Sequence, residues 1–226
     1  MVKQLEIKIC CISSHEEARM AIEAGADILG LVSAMPSGPG VIAEELIASI
    51  AASVPAQTFL LTSLCEPGAI IEQHRRLRTT AIQLCDALPP GGHARLREAL
   101  PGVRLVQVVH VTGDASYDEA MTAARDVDAL LLDSGNPALR VKELGGTGRV
   151  HDWTISRRIA SDAGVAVFLA GGLRPENVAE ALAITGASGV DICNGVRTDG
   201  RLDREKLERF VRAVRQIDGA PASRAG

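Results

Sequence analysis

Polar and nucleophilic side chains fall at the ends of short apolar runs in this chain, and their types suit proton transfer. Lys8 and Cys10 alternate with Ile7 and Ile9, Gln83 and Cys85 alternate with Ile82 and Leu84, Asp133 follows Leu130 and Leu132, and Asp191 is bracketed by Val190 and Ile192. Residues two apart on a strand share a face, so a thiol, an amide, a second thiol and two carboxylates can gather on one side. Cys10 supplies a potential base and Asp133 a potential acid. An ammonium on an inward face needs a partner carboxylate, and Lys8 so close to Cys10 favours the thiolate. Cys11 points to the opposite face if the first strand continues. Blander roles stand beside these: Cys85 and Cys193 can serve as small buried hydrophobes, and an Asp closing a strand often caps the next turn.

Three strand exits in the last third carry glycine: Gly145-Gly146-Thr147-Gly148, Ala170-Gly171-Gly172 and Asn194-Gly195. Glycine lets peptide N–H groups approach an anion unhindered, and a helix start adds the positive end of its dipole. Pro175, just after Gly172, suits the first turn of a helix. One such exit is often only a tight turn. Three at successive exits predict a surface that grips the phosphate of a small molecule.

The elements that must position these groups are legible as apolar runs of strand length at Leu5 to Cys10, Ile28 to Val32, Thr58 to Leu61, Ala81 to Leu84, Arg104 to Val109, Ala129 to Leu132, Val165 to Leu169 and Gly189 to Ile192. Segments of helical spacing lie between them, among them Glu16 to Ala24, Ala43 to Ala52, Pro175 to Ile184 and Arg204 to Val214. Eight alternations predict an α/β fold, a (β/α)8 TIM barrel in a single domain over residues 1–218, with the active site at the C-terminal ends of the strands. An open doubly wound sheet is the alternative. Glu23 to Gly30 echoes Ile184 to Asp191, with a glycine ending a helix just before a strand in both. Pro36 to Gly40 and Pro89 to Gly92 are of loop length, and the small, polar tail 219–226 is expected to fray.

Composition narrows the function classes. Of 226 residues 46% are hydrophobic but only 2% aromatic, so the core is expected to be built from Ala, Val, Ile and Leu, the usage of parallel strands covered on both faces. A net charge of -4, scattered cations and few aromatics argue against nucleic-acid binding. No apolar run reaches the roughly 20 residues of a membrane span, and the N-terminus lacks a signal-peptide core. A cytoplasmic protein without a membrane partner is expected. The five cysteines, Cys10, Cys11, Cys65, Cys85 and Cys193, are odd in number and lack a zinc spacing, so most should be reduced thiols.

Taken in order, Lys8-Ile9-Cys10-Cys11-Ile12-Ser13, Gln83-Leu84, Leu131-Leu132-Asp133-Ser134, Gly145 to Gly148 with Asp152-Trp153, Leu169 to Leu173 with Pro175-Glu176-Asn177-Val178, and Gly189-Val190-Asp191 with Gly195-Val196 resemble the phosphoribosylanthranilate isomerase family. The resemblance runs from Lys8 to about Phe210. It implies a barrel enzyme of tryptophan biosynthesis that uses neither metal nor organic cofactor and acts on a small phosphorylated sugar substrate by an Amadori rearrangement, as a monomer or homodimer. By position it makes Cys10 the general base and Asp133 the general acid. It sets Lys8, Gln83, Cys85 and Asp191 at the substrate, and Gly146, Thr147, Gly148, Gly171, Gly172, Asn194 and Gly195 at the phosphate.

The departures cluster at the other end of the substrate. Where the family usually has Ser-Pro-Arg, whose arginine pairs with the anthranilate carboxylate, this chain reads Pro36-Ser37-Gly38-Pro39-Gly40. Cys85 replaces a histidine, Cys11 a glycine and Arg197 a glutamate. Arg197 either adds charge at the phosphate or is a solvated loop residue, and Arg140 or Arg149 could take over the carboxylate. Two alternatives therefore accompany the family reaction: isomerisation of another phosphorylated aminoaldose, and sugar-phosphate binding without turnover.

Overall fold

The computed structural model describes residues 4–36, 38–135 and 151–218. Eight parallel strands close into a barrel in chain order: β1 (Glu6–Ile9), β2 (Ile28–Val32), β3 (Gln57–Thr62), β4 (Ala81–Leu84), β5 (Arg104–His110), β6 (Ala129–Asp133), β7 (Ala166–Leu169) and β8 (Gly189–Ile192). Between and after them run α1 (His15–Ala24), α2 (Glu44–Ser53), α3 (Pro67–Leu77), α4 (Gly92–Ala99), α5 (Ala115–Ala123), α6 (Trp153–Asp162), α7 (Val178–Thr185) and α8 (Arg204–Asp218). The closed barrel is borne out and the open sheet is not. Gly145 to Gly148, Arg140, Arg149, Ser37 and the tail 219–226 lie outside the described residues.

Strand alternation sorts the side chains into two layers. Ile7, Ile9, Leu29, Leu31, Val190 and Ile192 face outward and pack with helix residues such as Ala18, Ile47 and Phe210. Ile28, Phe59, Leu61, Val106, Leu131 and Phe168 fill the barrel. On α8 the buried Leu207, Phe210, Val211 and Val214 follow helical spacing and form one stripe. Gly25 (φ 102°) ends α1 and Gly186 (φ 65°) ends α7, which accounts for the echo between those segments. No helix among the described residues is long and apolar enough to cross a membrane.

Two expectations need correction. The interior is not purely aliphatic, because Phe59 and Phe168 meet edge to face with centroids 6.2 Å apart. Arg104, paired with Glu6 at 2.8 and 2.9 Å, lies 5.6 and 5.2 Å from those rings and closes the end of the barrel opposite the strand exits. The second correction concerns Pro175, which does not start a helix, since α7 begins at Val178. Asn177 accounts for the delay: its Oδ1 accepts from the Arg174 N–H at 2.8 Å and its Nδ2 donates to the Gly172 carbonyl at 3.1 Å, building a separate turn first.

Candidate active site

At the C-terminal ends of the strands a cavity of about 240 Å³ opens. Its wall brings together Cys10 just past β1, Gln83 of β4, Asp133 closing β6, Asp191 of β8, Gly171 and Gly172 after β7, and Asn194 and Gly195 after β8. Lys8 and Cys85 stand behind that wall, 0% and 1% exposed. The expected glycines at Gly146 and Gly148, with Thr147, lie outside the described residues. Among the described residues no group of three His, Cys, Asp or Glu could hold a metal ion.

Lys8 finds the carboxylate its burial requires. It is the register partner of Asp191 across β1 and β8, and its Nζ donates to Asp191 Oδ1 at 2.8 Å. Burial works against the ammonium, but Asp191, followed by Cys10, outweighs it and holds Lys8 above its ordinary pKa. Gly30 makes this possible from the neighbouring strand: a Cβ there would stand 3.0 Å from Lys8 Nζ and 3.1 Å from Cys10 Sγ. The ammonium and the thiol thus border one gap that only a residue without a side chain leaves open. Nothing in the alternation of β2 singled out Gly30, because a glycine inside a strand is usually a weak spot.

Asp133 is suited to give up a proton. Burial pushes its carboxyl above the usual carboxylate range, and nearby Asp191 adds to the rise. The Ser134 N–H, donating to Oδ1 at 2.7 Å, only partly offsets it. Gln83 Oε1 is buried without a hydrogen-bond partner. A buried orphan acceptor on a cavity wall is a place for a ligand donor. Burial raises the Cys85 thiol to about 12, so it stays neutral and packs as a small apolar group.

Cys11 departs from the sequence expectation. β1 stops at Ile9, Cys11 turns to φ 62°, and its side chain joins the cavity wall instead of the outer layer. The strand had to continue for the alternation to hold. Hydrogen bonds with Cys10 and Cys193, together with burial, push the Cys11 thiol well above the thiol range. Cys193, whose Sγ is 2.8 Å away, is lowered by that contact and by Arg197.

The reading of Arg197 as a solvated loop residue does not hold. Its side chain is only 7% exposed and it forms an ion pair with Glu17 at 2.8 Å, so it is neither solvated nor on the cavity wall. Arg174 is the one cation among the described residues of that wall. The sequence reading passed over it, although it follows the Gly171-Gly172-Leu173 exit directly. The glycines beside it leave backbone bare: a Cβ on Gly171 would be 3.0 Å from Asp133 Oδ1, and one on Gly195 would collide with the Leu173 carbonyl. On the opposite side, Met35, Gly38 and Pro39 line the cavity without any charge.

Comparison with known proteins agrees with this geometry. The family model for N-(5'-phosphoribosyl)anthranilate (PRA) isomerase matches residues 7–213. The N-(5'-phosphoribosyl)anthranilate isomerase of Methanocella arvoryzae is 32% identical over 212 residues, covering 92% of this chain and 97% of that protein. The enzyme of the same name from Myxococcus xanthus is 34% identical over 219 residues, covering 95% and 98%. Among solved structures, phosphoribosyl anthranilate isomerase from Thermotoga maritima superposes with a TM-score of 0.81 at 25% identity, covering 94% of this chain and all of that one. Matched over nearly its whole length by the family model and by relatives above 30% identity, the chain belongs to the N-(5'-phosphoribosyl)anthranilate isomerase family.

Proposed function

We propose that Asp133 and Cys10 carry the reaction of this phosphoribosylanthranilate isomerase, which converts N-(5'-phosphoribosyl)anthranilate to 1-(2-carboxyphenylamino)-1-deoxyribulose 5-phosphate in tryptophan biosynthesis. Asp133 donates its proton to the furanose ring oxygen; the C1′–O bond breaks and the nitrogen lone pair forms a Schiff base. The Cys10 thiolate then takes the C2′ proton, the electrons flow back to nitrogen, and an enolamine results that tautomerises to the aminoketone. The observation that carries this reading is one cavity bearing both the thiol and a carboxyl whose pKa burial raises. Each step moves a proton between substrate and a side chain of this protein.

The remaining wall residues take binding roles. Gly171, Gly172, Asn194 and Gly195 offer backbone to the phosphate, with Gly146, Thr147 and Gly148 as further contributors and Arg174 as a cation beside them. Gln83 and Asp191 meet the sugar, Lys8 holds Asp191 in place, and Cys85 supports Gln83 from behind. The protein works in the cytoplasm as a monomer or homodimer.

Turnover of purified protein with PRA, followed by chromatographic separation of PRA from the aminoketone product, tests the assignment. Cys10→Ala and Asp133→Asn should each lower kcat about 10²- to 10⁴-fold. Cys193→Ala is the informative control, since a loss of that size there would move the base to the neighbouring thiol. The pH profile has a defined sign: Asp133 must be protonated to act, so kcat falls as pH rises through its elevated value.

A further inference from the structure

Arg197 lies where the family resemblance leads one to expect a glutamate, and its contacts converge on the peptide that carries the thiol. Nη2 donates to the Cys11 carbonyl at 2.6 Å, to the Cys10 carbonyl at 3.3 Å and to Glu17 Oε2 at 3.1 Å. Nη1 donates to Glu17 Oε1 at 2.8 Å and to the Gly200 carbonyl at 3.0 Å. Glu17 is itself fixed by the N–H groups of Ser13 and Leu202, both at 2.9 Å. A guanidinium is a planar fork that satisfies several acceptors in one rigid geometry. Here it ties the exit of β1 to α1 and to the connection between β8 and α8.

We propose that Arg197 is a positioning residue for catalysis, fixing the Cys10–Cys11 backbone so that the Cys10 thiol faces the cavity. Two features make a fixing device necessary. The strand has already ended at Ile9, so the thiol lies beyond the last ladder residue, and Cys11 holds φ 62° without being glycine. Past β1 the backbone is held to its neighbours by the Cys10 N–H, bonded to the Ile192 carbonyl at 2.8 Å, and the Ile12 N–H, bonded to the Gly30 carbonyl at 3.0 Å, neither of which fixes the two cysteine carbonyls. Arg197 clamps the carbonyls of both cysteines, and Glu17 holds its guanidinium in place.

This inference rests on Cys10 being the base, and the test separates the two. Arg197→Lys keeps the charge beside Glu17 but not the fork. It should still fold, at a lowered thermal midpoint because one amine cannot serve all the acceptors of the fork, while kcat of the folded protein falls about 10- to 100-fold, the scale of a small misplacement of a reacting group, with KM changed less than about threefold. Peptide-resolved alkylation of Cys10 by iodoacetamide should change rate in the same variant. A wild-type kcat and alkylation rate in folded Arg197→Lys would overturn the proposal, as would a rise in KM that accounts for the whole loss. If the lysine variant fails to fold, Glu17→Gln keeps the arginine and removes its anchor, and the same two outcomes decide. Should Cys10→Ala prove active, the base assignment falls, yet the alkylation rate still reports whether Arg197 positions the thiol.

Discussion

On the side of the mouth formed by β6, β7, β8 and β1, the thiol-bearing backbone and both carboxylates are each held by a hydrogen-bonded partner. On the side of β2 and β4, the wall is an uncharged loop with the amide of Gln83 beside it. Lys8 pairs with Asp191, Ser134 holds Asp133, and Glu17 and Arg197 hold the cysteine backbone. Across the cavity, Met35, Gly38 and Pro39 present no charge, and Cys85 lies buried as a neutral thiol. Proton transfer demands fixed geometry and tolerates little change, whereas loops vary readily over a rigid scaffold. On the proposed reading, proton transfer and recognition of the aglycone fall on different sides of one cavity.

Variants break or sharpen that contrast, beginning with the side that should be intolerant. Cys10→Ala and Asp133→Asn give the largest expected effects, as stated above. Lys8→Met should follow, costing about 3–5 kcal/mol of folding stability in chemical denaturation because it strands the buried Asp191 charge. Gly195→Ala, forced against the Leu173 carbonyl, should lower kcat/KM for PRA about 10²-fold through displacement of the phosphate loop. If Gly195→Ala behaved like wild type, the fixed side would be less fixed than its geometry indicates.

The tolerant side predicts smaller effects and one gain. Pro39→Arg places a guanidinium on the uncharged wall, where a charged hydrogen bond to the anthranilate carboxylate should lower KM about tenfold. Cys85→Ala should change kcat/KM less than about threefold and cost about 1 kcal/mol of stability, measured by thermal unfolding. A large loss of activity in Cys85→Ala would give that thiol a direct part in binding and blur the contrast between the sides.

What the sequence revealed follows from where alternation applies. Inside strands a two-residue period assigns faces, so Lys8, Gln83, Asp133 and Asp191 were legible together, and the need of a buried ammonium for a carboxylate anticipated the Lys8 to Asp191 pair. Beyond the last ladder residue the period no longer applies. Cys11 turned inward through a left-handed backbone, and Arg197 reached a carboxylate 180 positions away in sequence, which no local pattern encodes. Gly30 escaped notice for another reason: its role is to be empty space beside two side chains of β1 and its exit. Pro175 misled because Asn177, a better local hydrogen-bonder, claimed the turn.

The most direct test is a crystal structure of this protein with the reduced product analogue that one solved family member contains, reduced 1-(o-carboxyphenylamino)-1-deoxyribulose 5-phosphate. Phosphate oxygens are expected against the backbone of Gly171, Gly172 and Gly195, with Cys10 Sγ about 3–3.5 Å from C2′ and Asp133 on the side of the ring oxygen. A phosphate bound instead beside Met35 and Pro39, or a Cys193 thiol nearer to C2′ than Cys10, would contradict that expectation.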